Sequence, residues 1–221
     1  TGTACGNCAE ECPVERPGKR GRTEGEKAAY INNALPFPMK DCIDPDVCKR
    51  EECAKCMEVC DYQAIQLDAS SAEVEIQAGK VIVASGWLPY DAAHLKEYRY
   101  SEEQDVVSNV EFERMNDLMG PTGGKIVRPS DGTEPKKIAF IQCAGSRDRN
   151  YLKHCSRICC MASLKQTHYV RENIKGGTSD IYYIDIRAID RFEDFYQNVQ
   201  NDENVSFIKS KVANITEGDN H

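Results

Sequence analysis

The stretch that decides the fold is Cys143-Ala-Gly-Ser-Arg-Asp-Arg-Asn-Tyr-Leu-Lys-His-Cys155-Ser-Arg-Ile-Cys159-Cys160. It follows an apolar run of strand character, residues 137–142, and leads into a segment of helical character, residues 156–172. A dinucleotide-binding βαβ unit would carry G-x-G-x-x-G at this strand-to-helix turn. Here the turn carries Cys143 and the single glycine Gly145. We therefore expect no tight NAD(P)H binding at this turn, because it lacks the close backbone approach that a pyrophosphate requires.

Four cysteines of this stretch can converge on one point. On a helix, Cys155 and Cys159 would share a face at i, i+4, and Cys160 would be rotated by about 100°. Cys143 would reach the same point from the end of the strand. Four thiolates suit a [4Fe-4S] cluster. The alternatives are structural zinc, which usually takes paired C-x(2–4)-C knuckles, and cysteines that serve packing or disulfides.

The composition of the chain favours some classes of function and disfavours others. The chain has 221 residues, which allows one large or two modest domains, and its twelve cysteines exceed what packing needs. No secretory signal pattern is present, so metal ligation in a cytoplasmic protein is favoured over a disulfide scaffold. No apolar run approaches the ~18 residues that span a bilayer, so any membrane link is expected through a partner. A net charge of −8 disfavours nucleic-acid binding.

The first 60 residues read as two ferredoxin-like halves. Residues 2–13 follow the bacterial run C-x2-C-x2-C-x3-C-P, with Gly2 in place of the first cysteine. Residues 48–60 give C-x4-C-x2-C-x3-C, followed by Asp61 where a proline is usual. The basic, glycine-rich residues 16–22 are interpreted as a solvated loop between the halves. Because the chain begins inside a motif, we expect it to be part of a longer protein.

The cysteines of the two halves divide into two sets of four. In the ferredoxin pattern the last cysteine of each run serves the neighbouring cluster. Cys42 and Cys48 then complete the two sets. The first set is Cys5, Cys8, Cys42 and Cys60, and the second is Cys12, Cys48, Cys53 and Cys56. A zinc ribbon is the alternative, since C-x2-C pairs also bind zinc, but it leaves Cys12 and Cys60 unexplained.

The remaining patterns predict an α/β fold. Residues 73–77 alternate like an edge strand, and residues 79–86 form an apolar run typical of a buried parallel strand. Ser108 and Glu111 have capping-box spacing before a short amphipathic helix. From residue 136 the pattern is βαβαβ, a parallel sheet with right-handed crossovers. Its predicted strands are 137–142, 181–186, 205–208 and 211–215, and its predicted helices are about 155–173 and 191–200.

These residues resemble a known family. Cys143-Ala-Gly-Ser-Arg-Asp and residues 151–166 are similar to the flavin- and iron–sulfur-containing A subunit of heterodisulfide reductase. They are also similar to its relatives in the quinone-interacting membrane-bound oxidoreductase complex of sulfate reducers. Residues 120–125, 128–132 and 183–187 support the match, which covers nearly the whole chain. Ala84-Ser-Gly-Trp87 and Cys160-Met-Ala-Ser163 resemble the quinone-linked branch somewhat more.

The resemblance implies a thioredoxin-reductase-like dinucleotide-binding domain with a ferredoxin-like (α+β) iron–sulfur insert. Residues 1–68 would be the insert with two [4Fe-4S] clusters, and residues 69–135 the return to the flavin domain with a connecting segment. Residues 136–221 would be a second dinucleotide-like domain with a third [4Fe-4S] cluster. FAD would be bound in the full-length protein, with contacts from Ala84, Ser85, Gly86 and Lys165, the last near the flavin N5.

The implied function is electron transfer between FAD and [4Fe-4S] clusters in a multi-subunit oxidoreductase of anaerobic energy metabolism. The implied partners are other subunits of the complex, including a quinone-reactive membrane subunit that would hold the protein at the inner face of the membrane. The glycine-rich FAD fingerprint is absent from this chain. The rival functions are a zinc-stabilised interaction module and an FAD/NAD(P) disulfide reductase with a cysteine pair as its redox dithiol.

Overall fold

The computed structural model describes residues 5–18, 25–31 and 39–218, which fall into two compact units, Thr1–Trp87 and Leu88–His221. Both units contain helices and strands, so the mixed α/β class is confirmed. Gly2 and residues 19–24 lie outside the described residues.

The first unit is built from two similar pairs of strands and two short helices. The strands β1 (Glu15–Pro17) and β2 (Gly25–Lys27) pair antiparallel, and so do β3 (Ala29–Ile31) and β4 (Asp41–Ile43). The helices are α1 (Asn7–Glu11) and α2 (Lys55–Glu58). The strands are three residues long, so this small unit depends on packing around its cysteines, and buried Cys12 lies in one core with Ala28 and Ala29.

Arg16 corrects the interpretation of the basic segment as a solvated loop. Its side chain is buried within β1 and makes ion pairs with Glu26 and Asp44. The guanidinium also lies 4.0 Å from the ring centroid of Tyr30, a cation–π contact. Two carboxylates and an aromatic face compensate for burying the charge, so Arg16 ties both strand pairs together.

The two strands predicted within residues 73–86 are wrong. Residues 59–91 form neither helix nor strand, and Val81, Ile82 and Val83 are more than four-fifths exposed. The apolar sequence favours a strand, but a strand requires a hydrogen-bonded neighbour, and no strand among the described residues pairs with it.

The second unit contains the predicted parallel sheet. Its strands are β5 (Lys137–Ile141), β6 (Thr178–Tyr183) and β7 (Val205–Lys209), in the order β5-β6-β7. Helix α4 (Cys159–Asn173) connects the first two strands and α5 (Phe192–Gln200) the next two. Helix α3 (Asn109–Asn116) precedes the sheet and begins with the predicted capping box of Ser108 and Glu111.

One core holds this unit together. Phe112 of α3 packs edge to face on Phe140 of β5, with ring centroids 5.6 Å apart. Leu164 of α4, Ile181 of β6 and Val199 of α5 complete the core and are fully buried. At about 25 cal/mol per Å2 of apolar surface, each of these side chains contributes about 1.5–3 kcal/mol to folding.

Two further predictions need correction. Helix α4 begins at Cys159 rather than near residue 155, because Arg157 adopts a left-handed φ of 62°. The thiol of Cys155 and the hydroxyl of Ser156 also accept hydrogen bonds from the backbone N–H groups of Arg157 and Ile158, local turns that compete with helix formation. Residues 211–215 do not form a strand and are held instead by single hydrogen bonds, such as Ile215 N–H to Glu97 O at 2.9 Å.

Candidate metal centre

The two C-x2-C loops of the first unit have the same backbone design. The residue after the first cysteine is left-handed in both, Gly6 with a φ of 82° and Ala54 with a φ of 45°. Each begins a short helix that carries the second cysteine, Cys8 on α1 and Cys56 on α2, into a buried position. Ala54 is strained in this conformation, so the loop shape is maintained at a cost of about 1–2 kcal/mol.

The second predicted set of cysteines lines a single cavity. Cys12, Cys48, Cys53 and Cys56 surround it together with apolar residues that include Val14, Ala29 and Ile43. Burial raises the pKa of Cys56, and the neighbouring Cys48 and Cys12 raise it further. These thiols come from two parts of the chain, residue 12 and residues 48–56.

Backbone amides donate to the thiols of several candidate ligands. The donors are Ala29 N to Cys12, Arg50 N to Cys48, Ala64 N to Cys60 and Arg157 N to Cys155, each with an N–Sγ distance of 3.4 Å. Such hydrogen bonds stabilise thiolates and tune the potential of an iron–sulfur cluster. The donor pattern therefore fits thiolate ligands better than thiols that serve only to fill space.

The first predicted set consists of Cys5, Cys8, Cys42 and Cys60, and the structure brings only part of it together. Burial, together with the nearby Asp41 and Cys5, raises the pKa of Cys8 to about 11. Cys42 follows Asp41 on β4 and pairs with Tyr30 of β3. Cys60 lies just beyond α2, where it accepts from Ala64 N. Cys8 therefore interacts electrostatically with Cys5, whereas membership of Cys42 and Cys60 in this set stays a prediction.

The central four cysteines lie together at the C-terminal end of β5. Cys143 follows β5 in a left-handed conformation, with a φ of 59°, and its charge interacts with those of Cys155 and Cys159. Its backbone N–H also lowers the pKa of Cys159. Cys160 faces Asp185 O at 3.9 Å, beyond the end of β6, and also interacts with Cys143. Although Cys155 is not on the helix, the loop before α4 still brings it to the group.

The vicinal pair at the start of α4 is strongly polarised. The neighbouring Cys160 lowers the pKa of Cys159, and Ser156, whose Oγ lies 3.7 Å from the Cys159 Sγ, helps to lower it. The neighbouring Cys159, together with burial, raises the pKa of Cys160. The site therefore favours a thiolate at Cys159, which is the form that binds metal.

Arg147 is a site residue that sequence reasoning missed. The run Arg147-Asp-Arg149 is typical of a solvated turn, but the side chain of Arg147 hydrogen-bonds to Cys143 and lies 2.6 Å from Asp185 Oδ1. Burial raises the pKa of Cys143, and the Arg147 cation opposes that shift. The only sequence signal was an aspartate, Asp185, near the end of a predicted strand, at the sheet edge where Cys143 also lies.

A cavity of about 300 Å3 adjoins Cys143, lined also by Tyr98, Gly145 and Lys211. At Gly145, with a φ of 77°, a Cβ atom would collide with the ring of Tyr90. The one glycine of the turn thus serves packing against an aromatic ring.

The residues predicted to contact FAD are divided between the two units. Ala84, Ser85 and Gly86 lie in the exposed stretch of the first unit. In the second unit, Lys165 on α4 makes an ion pair with Glu113 on α3, with 2.6 Å between Nζ and Oε1. These four contacts with FAD stay predictions.

The described residues contain neither a membrane-spanning helix nor a compact site for a single metal ion. No helix within them is both long and apolar enough to span a membrane. No three cysteine, histidine or acidic side chains within them are arranged to hold a single metal ion. A [4Fe-4S] cluster binds four cysteines, one at each iron, and therefore spaces its ligands more widely than a single ion does.

Comparison with known proteins shows similarity over nearly the whole chain to one kind of protein. The chain is 40% identical over 218 residues, 97% of its length, to the A subunit of H(2):CoB-CoM heterodisulfide,ferredoxin reductase from Methanothermobacter thermautotrophicus. It is 40% identical over 96% of its length to the A subunit of ferredoxin:CoB-CoM heterodisulfide reductase from Methanosarcina mazei. The expected resemblance to the A subunit of heterodisulfide reductase is thereby confirmed. No protein-family model matches the chain.

These relatives are named as reductase subunits, and each is longer than this chain. The Methanocaldococcus jannaschii relative, 39% identical over 97% of the chain, is named as the iron–sulfur A subunit of CoB–CoM heterodisulfide reductase. All three are subunits of oxidoreductases. The chain spans 33% of the first relative and 27% of the M. mazei relative, so it corresponds to about a third of such a protein.

Proposed function

We propose that this chain is the iron–sulfur portion of an electron-transfer subunit in a heterodisulfide-reductase-like complex, and that it binds three [4Fe-4S] clusters. The full-length protein would bind FAD and exchange electrons between FAD and the clusters. It would be an oxidoreductase subunit of anaerobic energy metabolism. Partner subunits, including a quinone-reactive one in the membrane, would supply and receive the electrons.

The cavity lined by Cys12, Cys48, Cys53 and Cys56 carries this proposal. A zinc knuckle needs two local pairs, whereas this cavity takes Cys12 from the opposite half of the unit. That exchange between halves is a property of two-cluster ferredoxin runs. The iron–sulfur name of the M. jannaschii relative agrees with it.

Each bound cluster would accept and release one electron at a time. The residues of this chain would hold it and set its potential. In the central set, Arg147 places a cation beside Cys143, and in the first unit backbone amides donate to Cys12, Cys48 and Cys60. Positive charge and hydrogen bonds stabilise the more negative reduced state, so these groups raise the potential.

We further propose the domain arrangement that the resemblance implies. Residues 1–68 would be a ferredoxin-like insert, 69–135 a return to the flavin domain, and 136–221 a second dinucleotide-like domain. The exposed apolar residues Val81, Ile82 and Val83 support this arrangement, because they have the composition of a buried strand. The remaining part of the full-length protein would supply the strands that pair with them.

Iron and acid-labile sulfide analysis of the anaerobically purified full-length protein tests the proposal. We expect about twelve irons and twelve sulfides assigned to this region, from three clusters. The matched control is a variant with Cys8, Cys56 and Cys159 all replaced by Ala, one ligand from each set, which should lose most of the iron assigned to those sites. Zinc without visible absorbance would support the interaction module instead. Iron-free protein reduced by NADH at a cysteine pair would support the disulfide reductase.

A further inference from the structure

Gln142 is a buried polar residue whose side-chain amide does not help to hold the fold together. It follows β5, its side chain is 5% exposed, and its backbone N–H donates to Tyr182 O at 2.9 Å. Within the described part of the chain, neither Oε1 nor Nε2 of the side-chain amide has a hydrogen-bond partner. Leaving a buried polar group unpaired costs about 1–3 kcal/mol. An apolar residue would be more stable here if packing were its only role.

The fold places this amide beside the central cysteines. Side chains of a strand alternate between its two faces, so Gln142 shares a face with Phe140, which packs in the same core as Leu164 of α4. Because β5 and β6 are parallel, α4 runs antiparallel to β5. Gln142 comes one residue before Cys143, and α4 begins with Cys159 and Cys160. The end of β5 and the first turn of α4 therefore lie at the same edge of the sheet.

An electrostatic interaction supports this position. Cys143, the residue next to Gln142, interacts with both Cys159 and Cys155 of the central set. The amide thus lies between the end of β5 and the first turn of α4, where the four thiols meet. The N–H groups of the Gln142 amide would find a hydrogen-bond acceptor there only when a group with negatively charged sulfur atoms is bound.

We propose that the side-chain amide of Gln142 donates a hydrogen bond to a sulfur atom of the [4Fe-4S] cluster held by Cys143, Cys155, Cys159 and Cys160, and so positions and tunes that cluster. The inference rests on the proposed function. Gln142 acts through the cluster and is a positioning residue. Its donor stabilises the reduced cluster, which carries one more negative charge, and raises the reduction potential.

Gln166, on α4, provides a matched control for Gln142. It is also a buried glutamine, but its Nε2 donates to Asn109 O at 2.9 Å and to Glu113 Oε2 at 3.2 Å. It lies seven residues after Cys159, about 10 Å further along α4. Its amide joins α4 to α3, so Gln166→Leu should reduce stability whether or not iron is bound and leave the cluster potential unchanged.

The test is an anaerobic redox titration of the full-length protein followed by electron paramagnetic resonance, comparing Gln142→Leu with the parent. The central cluster is identified as the signal lost in Cys159→Ala. We expect only that signal to titrate at a more negative potential, with about a three- to tenfold smaller reduced-to-oxidised ratio at fixed potential. Gln142→Met, which keeps the length without a donor, should show the same shift if the leucine variant folds poorly.

Stability gives a second readout. The leucine variant should be as stable as the parent, or more so, after iron is removed with a chelator, and less stable when loaded. An unchanged central potential with the cluster intact would overturn the inference and leave the proposed function standing. Absence of iron from the parent would instead overturn the proposed function.

Discussion

The ammonium group of Lys165 lies 2.6 Å from the carboxylate of Glu113, so this ion pair joins α4 to α3. Glu113 also accepts from the hydroxyl of Tyr169 at 2.8 Å and from Gln166 at 3.2 Å. Burial alone would raise the pKa of Glu113, but these hydrogen bonds hold it below its ordinary value. The carboxylate is therefore the centre of the contact between the two helices.

Substitutions at this pair should reduce the stability of the second unit. We expect Lys165→Met to lower the free energy of unfolding by about 0.5–1 kcal/mol, since the pair is half exposed and screened by solvent. Glu113→Gln should cost about 1–2 kcal/mol, because three donors lose a charged acceptor. Thermal unfolding of both variants and the double variant measures the coupling. Lys175→Met, at an exposed site just beyond α4, is the control and should change little.

The same variants test the predicted contact of Lys165 with FAD. A cation beside the flavin would stabilise its anionic reduced form, so in the full-length protein Lys165→Met should lower the two-electron potential by about 30 mV, equivalent to ~1.4 kcal/mol. Glu113→Gln, which leaves the cation without its counter-charge, should raise it. If both variants lose stability and neither moves the flavin potential, Lys165 serves only the helix contact.

The second prediction is that each of the three cysteine sets binds its cluster independently of the other two. Replacing Cys159 with Ala should remove about four irons per chain and leave the other two clusters, because the central cysteines lie in the second unit. Iron analysis and the count of paramagnetic signals measure this. Cys12→Ala is the matched control and should remove a different set of about four. Loss of all iron, or of none, from the Cys159 variant would contradict the assignment.

The sequence predicted the parallel sheet well because its signals are local. Apolar runs alternate with amphipathic segments after residue 136, and the capping box of Ser108 and Glu111 needs only four adjacent residues. The grouping of Cys143, Cys159 and Cys160 follows from the same local pattern, since the end of a strand and the start of the next helix lie at one edge of the sheet.

Features that depend on distant partners could not be predicted. Residues 79–86 have the composition of a strand, but composition does not say whether a neighbouring strand is present. The burial of Arg16 depends on Asp44, which is 28 residues away. The start of α4 was misplaced because the Cys155 and Ser156 side chains compete for backbone N–H groups, a choice that helix periodicity does not reveal.

The contact between Gly145 and Tyr90 gives the third prediction. Gly145→Ala should destabilise the second unit by more than the ~1 kcal/mol that a left-handed alanine costs, because the new methyl group would also collide with the Tyr90 ring. Gly176→Ala is the matched control. Gly176 has a similar φ of 70°, and nothing lies within 4 Å of its Cβ position. Thermal unfolding should show a larger loss at Gly145, and equal losses would exclude the ring contact.

The last prediction concerns Arg147, whose guanidinium lies between Cys143 and Asp185. Its side chain is 25% exposed, so solvent screens it only in part, and its charge should favour the reduced central cluster. Arg147→Met should therefore lower the potential of that cluster by about 50 mV, because a one-electron couple shifts ~59 mV for each tenfold change in equilibrium constant. The exposed Arg149, two residues further on, is the control, and Arg149→Met should leave the potential unchanged. Redox titration of the full-length protein compares the two, and equal shifts would show that Arg147 acts only through net charge rather than through its contact with Cys143.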